Sequence, residues 1–314
     1  MKYSYLIVGA GFTGAVIARE IADKLNEPTL VIDRRNHISG NAFDHYDKSG
    51  VLVHEYGPHI FHTNSHQVWE FLSKFTEWNP YEHRVIGKIG KEHIPIPFNF
   101  SSIETMFSSK EANIIKSHLL EEHGNEVKVP ILNLMKSKNR FVKELADYVY
   151  TNIFFNYTKK MWDLEPQELD PAVLSRVPIQ IGYDDRYFHD QYQSMPKNGY
   201  TKMFQKILDH PNIEVKLRTH FKDISNPKEF KKIIYTGPID EYFDYRHGEL
   251  PYRSIRFEFF TENKEYTQKV ATINYPGFEY KHTRVTEFKH MTFQKKQQTT
   301  LCKEYPEAYN SKIN

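Results

Sequence analysis

Three glycines at positions 9, 11 and 14 and an aspartate at position 33 have the spacing of a cradle for phosphate and ribose. In the string Gly9-Ala10-Gly11-Phe12-Thr13-Gly14, Gly9 makes a tight turn, Gly11 lets main chain approach a pyrophosphate, and Gly14 lets helix and strand pack closely. Asp33 ends Thr29-Leu-Val-Ile-Asp33, where a carboxylate accepts hydrogen bonds from ribose hydroxyls and repels a 2′-phosphate. The chemistry is dinucleotide binding, FAD or NAD rather than NADP. The elements that must position these residues are legible around them. Tyr-Leu-Ile-Val precedes the glycines as a strand, and Ile17, Ala18, Ile21, Ala22 and Leu25 follow on one face of a helix whose positive end points at the phosphates. Arg34 to Asn41 is then a loop rich in hydrogen-bond donors, suited to wrapping the adenosine phosphates.

Other side chains could do chemistry without a helper motif. His59 and His62 stand three apart in Gly57-Pro58-His59-Ile60-Phe61-His62-Thr63, but no third ligand follows at a suitable spacing, so no metal site is read. Helical spacing recurs from Ser65 to Trp162, in Val68, Phe71, Leu72 and Phe75, in Ile114, Ile115 and Leu119, and in Val142, Leu145, Ala146 and Val149. Ile94-Pro95-Ile96-Pro97 reads as a break, and Ser101 to Glu104 as a helix start. Past Pro178 the chain reads as extended. A helix then opens at Gly199-Tyr200-Thr201, strands fall at Ile213–Leu217 and Ile233–Tyr235, and alternation from Ile255 to Phe259 predicts antiparallel strands that continue to about Lys289. This order predicts an α/β chain: a Rossmann-like dinucleotide-binding domain with an inserted helical bundle and an antiparallel β-sheet lobe. The expected boundaries are 1–78 with 190–245 for the cofactor domain, 79–175 for the helical lobe, 176–189 with 246–300 for the sheet and substrate lobe, and 301–314 for a divergent tail.

Composition narrows the classes. With 314 residues the chain can bury a large core, and a formal charge of +2 gives no general attraction to nucleic acid or to a membrane surface, so anion binding must be local. The single Cys302 leaves no internal disulfide framework, which fits a reducing cytoplasm. No apolar run reaches membrane-spanning length, and no signal segment precedes the first strand. The 21 tyrosines and 22 phenylalanines exceed what a core needs, and some of them could stack on bases or on flavin.

Several strings taken together closely resemble the UDP-galactopyranose mutase family. They are Gly9 to Gly14, Asp33 to His37, Gly57 to Thr63, Tyr157 to Trp162, Tyr183 to Phe188, Met195 to Tyr200, Tyr235 to Asp240 and Thr283 to Glu287, in family order up to about residue 306. The resemblance implies that the Rossmann-like domain is a Rossmann-like FAD-binding domain. It implies an isomerase with FAD, needed in its reduced form, that interconverts UDP-galactopyranose and UDP-galactofuranose without net redox chemistry, through a flavin N5–sugar adduct. It implies that Arg176 and Arg284 clamp the diphosphate and that His59 lies beside the flavin. It further implies that Tyr157, Thr158, Trp162, Tyr187, Asn274 and His83 border the nucleotide sugar, and that Gly9, Gly11, Phe12, Gly14, Asp33, Arg34, Asn41, His59, Ile60, Thr236 and Gly237 hold the cofactor. The product would supply galactofuranose for surface polysaccharide or lipopolysaccharide. A homodimer is compatible with the resemblance.

Three departures matter. The usual His-Ile-Gly-Gly-Asn loop reads His37-Ile38-Ser39-Gly40-Asn41, which predicts a tolerated backbone strain at Ser39. Asp163 replaces a usual glycine and His83 a usual asparagine, which keeps a TDP-deoxysugar mutase open as a second reading. The family continues past the Lys303-Glu304-Tyr305-Pro306 match, whereas Ala308 to Asn314 differs from that segment. The expectation is therefore weaker flavin binding and lower stability than in longer relatives. An ordinary FAD oxidoreductase and an inactive shortened remnant are the remaining alternatives.

Overall fold

The computed structural model describes residues 2–165, 168 and 178–310. They fall into two compact units, one of residues Met1–Tyr81 with Asp190–Pro251 and one of Glu82–His189 with Tyr252–Asn314.

The first unit is built on a four-stranded parallel sheet whose order is Ile213–Leu217, Thr29–Asp33, Tyr5–Val8, Lys232–Tyr235. Leu6, Ile7, Val31 and Ile32 have no exposed surface, as expected of strands covered on both faces. The helix Phe12–Leu25 buries Gly14, Ala15, Ala18, Ile21 and Ala22. The buried face therefore starts one turn earlier than the sequence suggests. Leu25 is exposed in the last turn, where Asn26 turns the chain at φ 52° and ends the helix. The helix Tyr200–Leu208 packs on this element through Phe204, whose ring meets Phe12 edge-on at 4.7 Å. A three-stranded antiparallel sheet of Phe61–Thr63, Tyr192–Pro196 and Trp78–Pro80 completes the unit, with the hairpin Asp44–Tyr46 and Leu52–His54.

The second unit joins a six-stranded mixed sheet to a helical cluster. The strand order is Arg253–Glu262, Thr299–Ala308, Arg284–Glu287, Thr272–Asn274, Val85–Ile89, Glu92–Ile96. The last two strands lie within the segment read as helical. Their alternating burial at Val85, Gly87 and Ile89 and at Ile94 and Ile96 is a strand period, and Pro95 is tolerated because its strand is a sheet edge. The helix after them is capped by Asn99, in a reciprocal bond with Ser102, rather than starting at Ser101. Residues 301–308, read as the start of a divergent tail, form most of a strand that pairs with Arg253–Glu262 along its whole length and with Arg284–Glu287 on its other side. The helices Ser109–His123 and Arg140–Val149 share one apolar core with the two strands, around Ile94, Ile103, Leu119, Leu145 and Ile179. The chain then passes through a π-helical stretch, Tyr150–Phe155, into the helix Asn156–Trp162.

Candidate functional site: two clefts of different construction

A cleft of about 430 Å³ opens at the carboxyl ends of the parallel strands of the first unit, the usual place for a ligand on such a sheet. The three glycines along it serve three purposes. Gly14 is required by packing, since a Cβ there would lie 1.8 Å from the Gly9 carbonyl oxygen. Gly9 is required by its φ of 109° and by the Thr236 hydroxyl, 2.2 Å from where its Cβ would be. Gly11 answers to neither demand. Its φ of −80° suits any residue, and a Cβ would come no closer than 3.6 Å to the protein. What it leaves open is the N-terminus of a fourteen-residue helix that no side chain caps. Main-chain amides and the helix dipole there suit a phosphate, so the cleft fits the dinucleotide that the glycines imply.

The Asp33 carboxylate sits 23 residues after Ala10 and accepts from its amide at 2.8 Å and from that of Arg35 at 2.9 Å. Each oxygen keeps a lone pair for a ribose hydroxyl. Arg34 pairs with Glu241 at 3.2 Å, and Arg35 donates to the Asn41 side-chain oxygen at 2.9 Å. The Ser39 loop meets the glycine turn directly, with the Ser39 amide donating to Ala10 at 2.9 Å. Ser39 has φ 77°, the left-handed conformation that glycine would take without strain, and its buried hydroxyl has no partner among the described residues. His59 also lines the cleft. Its amide donates to His54 Nδ1 at 3.0 Å, and its own Nδ1 donates to the Gly57 carbonyl at 3.0 Å, which leaves Nε2 for a ligand. Burial, helped by the charge of His59, pulls the His54 ring down to about 3, so it stays neutral and serves as an acceptor.

Gly9, Gly11, Phe12, Asp33, Arg34, Asn41, His59, Thr236 and Gly237 thus come together around one cavity. Gly14 lies beneath it as a packing residue, and Ile60 is not among its lining residues. Thr219 and Phe221 line it without a motif to betray them, since they follow a strand neighbouring the Asp33 strand, and Tyr235, the first residue of a string that resembles the family, lines it from the end of the strand beside the glycine strand.

A second cleft, also of about 430 Å³, lies within the second unit and is made of side chains. Asn274, Arg284 and Glu304 stand side by side in register on three neighbouring strands. The guanidinium of Arg284 donates to the Tyr157 hydroxyl at 3.3 Å and faces the Glu304 carboxylate at 3.6 Å. The tyrosine oxygen and the buried carboxylate both hold its proton more firmly than usual, so it is a permanent cation. Arg284 Nε and Asn274 Oδ1 are buried with no hydrogen-bond partner among the described residues. A donor and an acceptor left so are costly unless a ligand meets them. Thr158, Tyr187, Phe154 and Lys128 complete the walls, and burial raises the Tyr187 hydroxyl, keeping it a neutral donor.

Five residues expected to meet substrate therefore share this cleft: Tyr157, Thr158, Tyr187, Asn274 and Arg284. His83 is buried behind the lining, stacked on Phe188 with centroids 6.1 Å apart and accepting the Tyr187 amide through its carbonyl at 2.8 Å. Trp162 is exposed at the end of its helix and is not among the lining residues. Arg176 lies outside the described residues. Sequence reasoning missed Lys128 and Phe154 in the lining, and Glu304 beside Arg284. Glu304 fell in the segment read as tail, on a strand whose residues Thr299 to Cys302 are all buried, so no alternation singled it out.

The fold and the first cleft define a Rossmann-type dinucleotide-binding protein, carrying a second cleft lined by Arg284 and Lys128. Residues 7–75 match the family model described as NAD(P)-binding Rossmann-like domain, and residues 152–314 match the model described as UDP-galactopyranose mutase. The chain is 37% identical over 306 residues to a probable UDP-galactopyranose mutase of Klebsiella pneumoniae, covering 96% of this chain and 78% of that one. It is 34% identical over 308 residues to a dTDP-fucopyranose mutase of Escherichia coli, covering 96% and 80%. Among solved structures, that of reduced UDP-galactopyranose mutase aligns with a TM-score of 0.66 at 14% identity, covering 98% of this chain and 75% of that one. The chain belongs to the UDP-galactopyranose mutase family, and it is an isomerase.

Proposed function

We infer that this chain interconverts UDP-galactopyranose and UDP-galactofuranose, with FAD in its reduced form as cofactor. The observation that carries the reading is the pair Asn274 Oδ1 and Arg284 Nε, a buried acceptor atom and a buried donor atom with no hydrogen-bond partner among the described residues, in a cleft walled by tyrosines. Gly9, Gly11, Asp33, Asn41 and Thr236 would hold FAD, with the pyrophosphate at the helix N-terminus and the ribose on Asp33. Bound and reduced, the flavin supplies a nucleophile for the anomeric carbon.

The chain's own residues do the rest. Departure of UDP places negative charge on the diphosphate, and Arg284 stabilises that charge. Glu304 and Tyr157 both face the guanidinium, which limits the reorganisation needed as charge develops. Tyr157 and Tyr187 offer hydroxyls to phosphate or ribose, and Asn274 Oδ1 accepts from a sugar hydroxyl or an N–H group. Arg176 is assigned the second guanidinium of the clamp. His59 offers Nε2 at the cofactor, an acceptor while Nδ1 donates to Gly57, and a positive charge on the ring there would favour the reduced form. The same residues retain UDP for its return to the anomeric carbon in the other ring size, which makes the reaction reversible. The chain works in the cytoplasm, and the furanose nucleotide so made supplies galactofuranose for a surface polysaccharide.

Chromatography of nucleotide sugars after incubating the flavin-loaded, dithionite-reduced chain with UDP-galactofuranose tests this. UDP-galactopyranose is expected. Turnover of dTDP-fucofuranose alone would move the reading to the deoxysugar enzyme, a second reading that the 34% identity to the Escherichia coli relative supports less strongly than the 37% identity to the Klebsiella pneumoniae relative supports the first. Turnover of neither would refute it.

A further inference from the structure

The helix Asn156–Trp162 carries Tyr157 and Thr158 into the second cleft, and one turn later it carries Lys160. The Lys160 ammonium does not face the cleft with them. It donates to three main-chain carbonyls, those of Tyr275 at 2.7 Å, Gly277 at 3.0 Å and His282 at 2.9 Å. An ammonium has three protons and no lone pair, so these three acceptors saturate it.

The carbonyls belong to both arms of the turn that joins the Asn274 strand to the Arg284 strand. The neck of that turn is closed by the Tyr275 amide donating to Thr283 at 2.8 Å, and Pro276 within it lines the cleft. Sheet pairing fixes Asn274 against Arg284, but it does not fix either of them against the helix. The direct link between the two sides is the 3.3 Å contact of Arg284 with Tyr157, long for a bond that is to set a distance. A separate tie, Arg253 Nε to the Met161 carbonyl at 3.2 Å, fastens the end of the helix to a more distant strand. It does not involve the turn.

We propose that Lys160 is a positioning residue of the nucleotide-sugar cleft: its ammonium pins the 275–282 turn to the helix, so that the Tyr157 hydroxyl and the Arg284 guanidinium converge on the same diphosphate. This rests on the reading of the cleft as a UDP site. Lys160 touches no ligand in this scheme. It acts through where it holds Arg284, and its effect should vanish once Arg284 is gone.

The test is a calorimetric titration of the flavin-loaded chain with UDP, on wild type, Lys160→Met, Arg284→Ala, the double variant and Arg253→Gln, each with its melting temperature. Lys160→Met is expected to weaken UDP binding at least tenfold, whereas Arg253→Gln, which also loosens the helix, stays within twofold of wild type. In the double variant, Lys160→Met is expected to add less than twofold to the loss already caused by Arg284→Ala. Binding by Lys160→Met within twofold of wild type, or losses that multiply in full, would overturn the proposal. So would an equal loss in Arg253→Gln, which would reduce Lys160 to a general stabiliser. If Lys160→Met does not fold, Lys160→Arg takes its place, because a planar fork cannot reproduce three convergent bonds from one nitrogen. A folded wild type that does not bind UDP would instead refute the site reading itself.

Discussion

The two clefts have the same volume and opposite construction. The first is made largely of main chain: a helix N-terminus, two glycine loops in contact, and one carboxylate at a strand end. The second is made of side chains that meet because three strands and a helix bring them together from positions as far apart as 157 and 304. Main-chain recognition needs absences, since glycine must stand where a Cβ would intrude, and absences are cheap to read in a sequence. Side-chain recognition needs long-range pairing, which a sequence does not display.

The comparison breaks most sharply at Arg284. Arg284→Ala is expected to lower turnover by about 10²- to 10³-fold, or about 3–4 kcal/mol of transition-state stabilisation, while flavin content stays unchanged. Steady-state kinetics beside a visible spectrum would check both halves, and loss of flavin would show that the clefts are not separable.

The glycines divide next. Gly14→Ala, with its Cβ driven into the Gly9 carbonyl, is expected to destabilise the chain by about 2–3 kcal/mol, read as a lowered urea midpoint. Gly11→Val should leave that midpoint nearly unchanged and weaken FAD binding about tenfold or more, measured by flavin fluorescence. If both variants lose stability equally, Gly11 is a packing residue and the cradle argument fails.

Acid should separate the units through different groups. His54 is held near 3 by burial, so between its ordinary 6.5 and 3 the unfolded chain binds a proton that the native ring does not. Stability contributed by neutral His54 is therefore present above pH 6.5 and lost as pH falls below it. In the second unit the Arg186 guanidinium, bonded to Asp184 at 2.7 Å, holds that carboxyl at about 2 against an ordinary 3.8. Its contribution is present above pH 3.8 and lost as pH falls towards 2, and because Arg186 is partly exposed it amounts to about 1 kcal/mol. Hydrogen exchange at pH 7, 5 and 3 should show protection lost first around Leu52–His54 and later around Asp184. Simultaneous loss would contradict the assignment.

The smallest effect expected is at Ser39. Ser39→Gly relieves a left-handed serine and a buried hydroxyl without a partner, and should raise stability by about 1 kcal/mol, or a few degrees in melting temperature. A lower melting temperature would mean that the hydroxyl has found a partner in solution.

How far the sequence could be read follows the same division. The glycine turn, Asp33 and the parallel strands were legible because their signals are local: spacing, uninterrupted apolar runs and an acid at a strand end. Resemblance to a family supplied Tyr157, Tyr187, Asn274 and Arg284, which no periodicity would have singled out. The strands Val85–Ile89 and Glu92–Ile96 were hidden by two prolines and by the helices on either side, although their alternation was present. Glu304 was hidden because its strand, Thr299–Ala308, declares itself only when paired on both sides. His83 and Trp162 were expected at the substrate and lie behind the cleft and off its wall, positions that depend on packing and not on motif.

The central claim is that the chain isomerises a nucleotide sugar with reduced flavin and no net redox change. The most direct measurement is the number of sugars converted per reduced flavin under strictly anaerobic conditions, with the flavin spectrum followed throughout. Many conversions of UDP-galactofuranose per flavin, with the spectrum ending as it began in the reduced form, are predicted. One conversion per flavin, accompanied by reoxidation, would contradict the account and make the chain an oxidoreductase.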